Sequence, residues 1–184
     1  MAETSGVKKS PIRRATIKDV PFILVNINHH CSQPRIVNIA LAEYEHEPDK
    51  VLCTEEMLEK TIFGSTPYAK VLIAQTEEGI PAGFALYFYN YSTWNGKPGI
   101  YLEDLYVQPK YRRNSFGSAL LFALAQELVE IDGGRLEWSV LKWNTPSIAF
   151  YKNLGAIPMD EWQTMRVDGT QIAELAKLSP GILE

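Results

Sequence analysis

The chain has 184 residues, 46% of them hydrophobic, a formal net charge of -4 and two cysteines. That length suits one domain with a sizeable core, and the mildly acidic balance leaves no basic footprint for nucleic acid. Cys31 and Cys53 form neither a metal spacing nor a disulfide framework, no apolar run approaches a membrane span, and residues 1–10 lack the apolar core of a secretory leader.

Residues 1–10 read as a polar tail, and residues 11–184 as one domain. A short strand is expected over 11–15. Thr16 and Asp19 then stand at the positions of a capping-box-like helix start. Val20, Ile23, Leu24 and Ile27 recur at three- and four-residue spacing, which predicts an amphipathic helix over 17–30. Ile36, Ile39, Ala40 and Tyr44 repeat that spacing after Pro34, and the acidic run 43–47 ends the segment. Thr54 opens another helix, which Gly64 stops.

The periodicity then changes. Residues 68–76 and 81–91 are rich in β-branched and aromatic side chains and flank a Glu-Glu-Gly turn, so they read as a hairpin. Asn95-Gly96 is the strongest turn signal in the chain and joins the second of these strands to a third over 100–107. A central helix opens near Gly117, with Leu120, Leu121, Leu124, Leu128 and Ile131 on one stripe. A strand over 136–141 follows, then a short helix at Thr145-Pro146 with proline in a favoured first-turn position. A last strand is expected over 162–167 and a terminal helix over 171–178. The order predicts a mixed α/β (α+β) fold, a sheet with helices on its faces.

Between the third strand and the central helix lies Arg112-Arg113-Asn114-Ser115-Phe116-Gly117. A helix start offers unpaired N–H groups and the positive end of its dipole, and adjacent arginines add charge-assisted hydrogen bonds. A surface loop before a core helix is the plain alternative. The stretch resembles the Gln/Arg-x-x-Gly-x-Gly/Ala motif of the GNAT acetyltransferases, with Ser115 at the first glycine. Ser115 is instead placed to cap the helix. The segment Trp143-Asn144-Thr145-Pro146, followed by Tyr151 and Gly155-Ala156, resembles a second part of that family's pattern. So does the order of elements.

The resemblance implies a GNAT fold, a mixed, mostly antiparallel central sheet flanked by helices in which the fourth and fifth strands splay apart around acetyl-CoA. It implies that Arg112, Arg113, Asn114, Ser115, Phe116, Gly117 and Ser118 hold the pyrophosphate. Leu105, Tyr106, Val107 and Asn144 would hold the pantetheine arm. Tyr151 would give a proton to the departing thiolate. The other reading of Tyr151 is packing on the Ile148 face.

Ser92-Thr93-Trp94, Tyr101-Leu102-Glu103-Asp104 and Leu41-Ala42 with Tyr44-Glu45 narrow the resemblance to the diamine acetyltransferases, which act on spermidine, spermine or thialysine. In them the position of Glu103 serves as the base that deprotonates the ammonium, directly or through water. A carboxylate buried beside the cleft would have a raised pKa suited to that. Glu103 and Asp104 are adjacent in a strand, so alternation predicts opposite faces. Glu45 would meet a distal ammonium and Trp94 would add a cation–π wall, with an exposed loop aromatic as the alternative for Trp94. Trp162 would line the substrate end or pack in the core. His29, His30 and His46 are scattered, so no metal is assigned.

The expected function is direct transfer of acetyl from acetyl-CoA to a small primary amine in a ternary complex. The alternatives are a protein lysine or N-terminal acetyltransferase, and a CoA-binding module without catalysis. A cytoplasmic homodimer is expected, with no nucleic-acid or membrane partner.

Overall fold

A computed structural model describes residues 12–27 and 52–181. The helix expected around residues 36–44, together with Cys31, Glu45 and all three histidines, lies outside them. The chain divides into two compact units, one ending at Leu141 and one beginning at Lys142. No helix among the described residues is long and apolar enough to cross a membrane.

The first unit is built on a five-stranded sheet in the order β1-β2-β3-β4-β5. β1 (Ile12–Arg14), β2 (Lys70–Gln75), β3 (Pro81–Ser92) and β4 (Lys97–Val107) pair antiparallel. β5 (Arg135–Trp138) then joins β4 in parallel. The sheet is thus mixed and mostly antiparallel. The Asn95-Gly96 signal holds: the turn between β3 and β4 places Gly96 at φ +62°, a value that glycine reaches without a Cβ clash.

Two layers of helix cover the sheet. On one face lie a 3-10 turn (Ile17–Asp19), α1 (Val20–Ile27) and α2 (Glu55–Ile62). Val20, Ile23 and Leu58 there pack with Val71, Ile73, Phe84, Leu86 and Tyr106 in one buried cluster. Both predicted starts are present. The Thr16 N–H donates to Asp19 Oδ2 at 2.7 Å, and Thr54 Oγ1 accepts from the Met57 N–H at 3.2 Å. Asp19 is buried and also holds Arg13 at 2.7 Å.

The other face carries α3 (Phe116–Glu130), with Phe116, Leu120, Leu121 and Leu124 buried. The stripe continues through Glu127 rather than through the expected Leu128 and Ile131, which are only partly buried. The buried Glu127 carboxylate accepts from Tyr87 Oη at 2.6 Å and from Tyr89 Oη, and pairs with Arg14 at 2.8 Å. It is a buried charge kept affordable by three donors from two strands, β1 and β3. Burial alone would raise its pKa. The hydrogen bonds from Tyr87, Tyr89 and Arg14 together outweigh that and hold the carboxyl below its ordinary value. α3 ends in a Schellman motif, with Gly133 N–H on Leu128 C=O at 2.8 Å and Asp132 N–H on Val129 C=O at 3.1 Å.

The second unit contains α4 (Thr145–Asn153) and α5 (Thr170–Ala176). The strand expected over 162–167 is not formed. Every residue from 157 to 181 is exposed, and an extended segment with no ladder neighbour has nothing to pair its backbone groups. β5 likewise stops at Trp138 rather than reaching Leu141.

Candidate active site

The fourth strand makes the site. β4 pairs with β5 only from Gly99 to Leu102, while on its other side it stays paired to β3 through Val107. Past Leu102 the two parallel strands part. Leu105, Tyr106 and Val107 therefore keep one edge bonded to β3 and offer the other to an extended ligand, which can bind there as an added strand would.

The ladder is irregular at the point of parting. Leu102 opposes Tyr87 and Asp104 opposes Leu86, so Glu103 is an extra residue, a β-bulge. Tyr87 belongs to the α3 face, where it donates to Glu127, and Leu86 belongs to the α1/α2 face. One step from Leu102 brings Glu103 to the Leu86 face, and the register puts Asp104 there as well. The expectation of opposite faces fails because the bulge breaks the alternation. Glu103 is also exposed rather than buried, so burial is not what would prepare it as a base. Two carboxylates set side by side on one face make a local negative site suited to an ammonium group. Asp104 faces towards the start of α2: the Cys53 thiol has a raised pKa, mostly through burial and further through the charge of Asp104.

The loop from β4 to α3 supplies the anion end. Arg112 Nε donates to Val107 C=O at 3.1 Å, which ties the loop to the open end of β4. Tyr106, under the same loop, has its phenol pKa raised by burial and partly lowered again by the charge of Arg112. Arg113 and Ser115 are left-handed, at φ +65° and +61°, and Asn114 between them is not. Ser115 occupies the N-cap position of α3, but its side chain makes no capping hydrogen bond, a correction to the expected cap. The first bond of the helix ladder here runs from Ala119 N–H to Ser115 C=O at 2.9 Å. The N–H groups of Phe116, Gly117 and Ser118 precede it and are the orphan donors of the helix start. Uncapped helix donors, a dipole end and two arginines fit a pyrophosphate.

Ser115 sits where the resembling motif has glycine, and its backbone shows why. A residue with Cβ costs about 1–2 kcal/mol in the left-handed region, and glycine's larger unfolded-state entropy returns part of that. Replacing Ser115 with glycine is expected to stabilise the protein by about 0.5–1 kcal/mol and to tighten CoA binding. Denaturant titration and calorimetry check the two effects; a destabilised variant would contradict the strain.

The remaining candidates stand on other segments of the chain. Trp94 is 87% exposed in the turn between β3 and β4. From Lys97 to Glu103 the strand alone extends about 20 Å at its usual rise, so Trp94 and Glu103 of one chain stand well apart along β4. In the second unit, Asn144 is buried and caps α4, its Oδ1 accepting from Ser147 N–H at 3.2 Å. Tyr151 lies in the last turn of α4, its ring 5.3 Å from that of Phe150. Trp162 is 67% exposed. Among the described residues no cluster of three metal-binding side chains occurs.

Sequence reasoning missed Glu127, whose place on the α3 stripe three residues after Leu124 was the available signal. It also missed the bulge, for which no local signal exists.

Comparison with known proteins agrees with this geometry. Residues 34–156 match the model of the acetyltransferase (GNAT) family, and the chain belongs to that family. It is an acetyltransferase by that membership. The thialysine N-epsilon-acetyltransferase of Bos taurus is 38% identical over 146 residues, covering 74% of this chain and 85% of the relative. The L-ornithine N5-acetyltransferase NATA1 of Arabidopsis thaliana is 29% identical over 214 residues, covering 92% and 89%. An integron cassette protein from the mobile metagenome of V. cholerae shares the fold at TM-score 0.69 and 24% identity, covering 91% of this chain and 97% of that one.

Proposed function

We propose that the protein transfers acetyl from acetyl-CoA to the primary amine of a small diamine, polyamine or diamino acid such as thialysine or ornithine, directly and within a ternary complex. The observation that carries this reading is the β4 edge. It opens at Leu102, bears Glu103 and Asp104 on one face and runs into an uncapped helix start with two arginines. Relatives named for thialysine and ornithine support the acceptor class.

Acetyl-CoA supplies the activated thioester. Arg112, Arg113, Asn114, Ser115 and the N–H groups of Phe116, Gly117 and Ser118 hold its pyrophosphate. The free backbone edge of Leu105, Tyr106 and Val107 holds the pantetheine arm, with Asn144 as a further contact. Glu103 accepts the proton of the incoming ammonium through water, and its exposure at the bulge gives that water access. Asp104 adds negative charge that draws the amine in. The amine nitrogen then bonds to the acetyl carbon as the carbon–sulfur bond breaks, Tyr151 gives its phenolic proton to the departing sulfur, and the second proton shed by the acylated nitrogen passes through water to restore the phenol. Glu45 and Trp162 stand as contacts to the distal end of the acceptor. Trp94 serves the site of the other copy in a homodimer, which its separation from Glu103 favours. The enzyme works in the cytoplasm.

Glu103→Gln tests the base. An alkyl ammonium has a pKa near 10.4, so at neutral pH the variant must wait for the rare neutral amine. Its kcat/KM is expected to fall about a hundredfold at pH 7, with the deficit closing as pH approaches the pKa of the amine. A deficit independent of pH would remove the base role. The acceptor class is tested by offering isotopically labelled acetyl-CoA with an equimolar mixture of ornithine, thialysine, spermidine and lysine-bearing peptides. Mass spectrometry should find label on the small amines first; label confined to peptides would make the protein a peptide acetyltransferase.

A further inference from the structure

The sheet face that carries Glu103 and Asp104 extends beyond the cluster packed by α1 and α2. Phe88 lies two residues past Leu86 on that face, opposes Tyr101 and stacks on it, with ring centres 5.2 Å apart and planes at 28°. Tyr101 aligns in turn with Glu137 of β5. Alternation adds Asn90 and Arg135 to the same face. All five residues are half-buried. They make a floor with an aromatic pair and an ion pair that the acetyl-transfer steps above do not use.

The ion pair has a definite geometry. Arg135 Nε lies 2.8 Å from Glu137 Oε2. The same oxygen accepts from Asn90 Nδ2 at 2.9 Å, and Arg135 Nη2 donates to the Tyr91 C=O at 3.2 Å. Among the described residues these contacts leave Glu137 Oε1 and Arg135 Nη1 to a ligand. The pair carries no net charge, so a lone ammonium or a lone carboxylate gains on one partner what it loses on the other. A group bearing both charges gains on both. The spacing also fits. Tyr101 and Glu137 are one strand spacing apart, about 4.8 Å, and Glu103 is two residues, about 6.6 Å, further along β4. Glu103 and Glu137 therefore stand about 8 Å apart on one face. The two nitrogens of extended ornithine are about 6 Å apart at ordinary bond lengths.

We infer that Arg135 and Glu137 select the acceptor by its far end: they bind the zwitterionic α-amino-acid group of a short diamino acid while its side-chain amine lies at Glu103. The inference rests on the acetyl-transfer reading of the β4 site and deepens it. Glu137 takes the α-ammonium and Arg135 the α-carboxylate, each through charge-assisted hydrogen bonds. The methylene chain crosses Tyr101, which stands between the two carboxylates. The α-nitrogen is held away from the thioester, so acetyl goes to the terminal nitrogen. A diamine or polyamine lacks the carboxylate and brings a second ammonium against Arg135, which selects against it.

Putrescine is ornithine without the carboxylate, and 5-aminopentanoate is ornithine without the α-amine, so these three acceptors isolate the two contacts. Acetylation of each by the full chain, by Arg135→Gln and by Glu137→Gln is followed by CoA release, with mass spectrometry of the products and a melting curve for each variant. The wild type should favour ornithine over either analogue at least tenfold in kcat/KM and place the acetyl group on the side-chain nitrogen. Arg135→Gln frees Glu137 for a second ammonium. Ornithine should then fall about tenfold while putrescine rises, which reverses the preference. Glu137→Gln keeps an acceptor for Asn90; it should lower ornithine about tenfold and narrow its lead over 5-aminopentanoate. A pair that only ties the strands together would lower all three acceptors alike. Equal use of ornithine and putrescine by the wild type, or parallel losses on all three acceptors in both variants, would overturn the inference and leave acetyl transfer to small amines standing. Turnover of no small amine at all would overturn both.

Discussion

Replacing Tyr151 with phenylalanine is expected to lower turnover by about a hundredfold or more while leaving acetyl-CoA affinity within about twofold. The magnitude follows from chemistry. An alkyl thiolate leaves slowly without a proton, and general-acid assistance is worth about 10²–10⁴ in rate. The substitution keeps the ring and its contact with Phe150 at 5.3 Å, so α4 should fold as before. That isolates the hydroxyl. Single-turnover measurement of CoA release, beside calorimetric titration of CoA, separates the chemical step from binding. If Tyr151 serves α4 only as a packing residue, the variant will turn over at the wild-type rate. A low rate rescued by acyl donors whose thiols are more acidic would assign the proton to sulfur specifically.

The largest effect on stability should come from Glu127→Ala. The carboxylate is 7% exposed and is held by Tyr87, Tyr89 and Arg14. Removing one member of a buried charged network costs about 3–5 kcal/mol. Arg14 and Lys70 are part-exposed and can rehydrate, which points to the lower end, about 3 kcal/mol. For a chain of this length that lowers Tm by about 6–12 °C. The pH dependence has a definite sign. The folded pKa of Glu127 lies below its unfolded value, so its contribution is complete above the unfolded pKa and is lost as pH falls through the folded one. The stability gap between the wild type and Glu127→Gln should therefore be full at neutral pH and close in acid. A gap that widened on acidification would mean that the carboxyl is held protonated. Asp19, whose pKa is also lowered, adds to the acid loss of both proteins and cancels in that comparison.

The local parts of the fold were legible in the sequence because their causes are local. Thr54 accepts from the third residue after it, and Gly96 takes a positive φ in its own turn. β2 and β3 followed from β-branched and aromatic content between turn signals, and the face of α3 followed from periodicity as far as Leu124. What sequence left hidden depends on pairing between distant segments. Glu103 becomes a bulge only because Leu86 and Tyr87 set the register opposite it, and that register moves Asp104 to the same face. The positive φ of Arg113 and Ser115 is imposed by a strand and a helix that must be joined in a short span. Residues 162–167 show the converse. Their composition suits a strand, yet composition supplies no ladder partner, and the segment is exposed. The resemblance gives Asn144 as a cofactor contact, and what the structure shows of its side chain is the cap of α4.

The most direct measurement is release of free CoA thiol from acetyl-CoA across a panel of amines near neutral pH, comprising ornithine, thialysine, lysine, putrescine, spermidine and spermine. Saturable turnover on a short diamine or diamino acid, with one acetyl group found on a primary amine of the product, is the predicted result. Absence of turnover on every amine by a protein that still binds CoA in calorimetry would contradict the assignment of a small-amine acceptor.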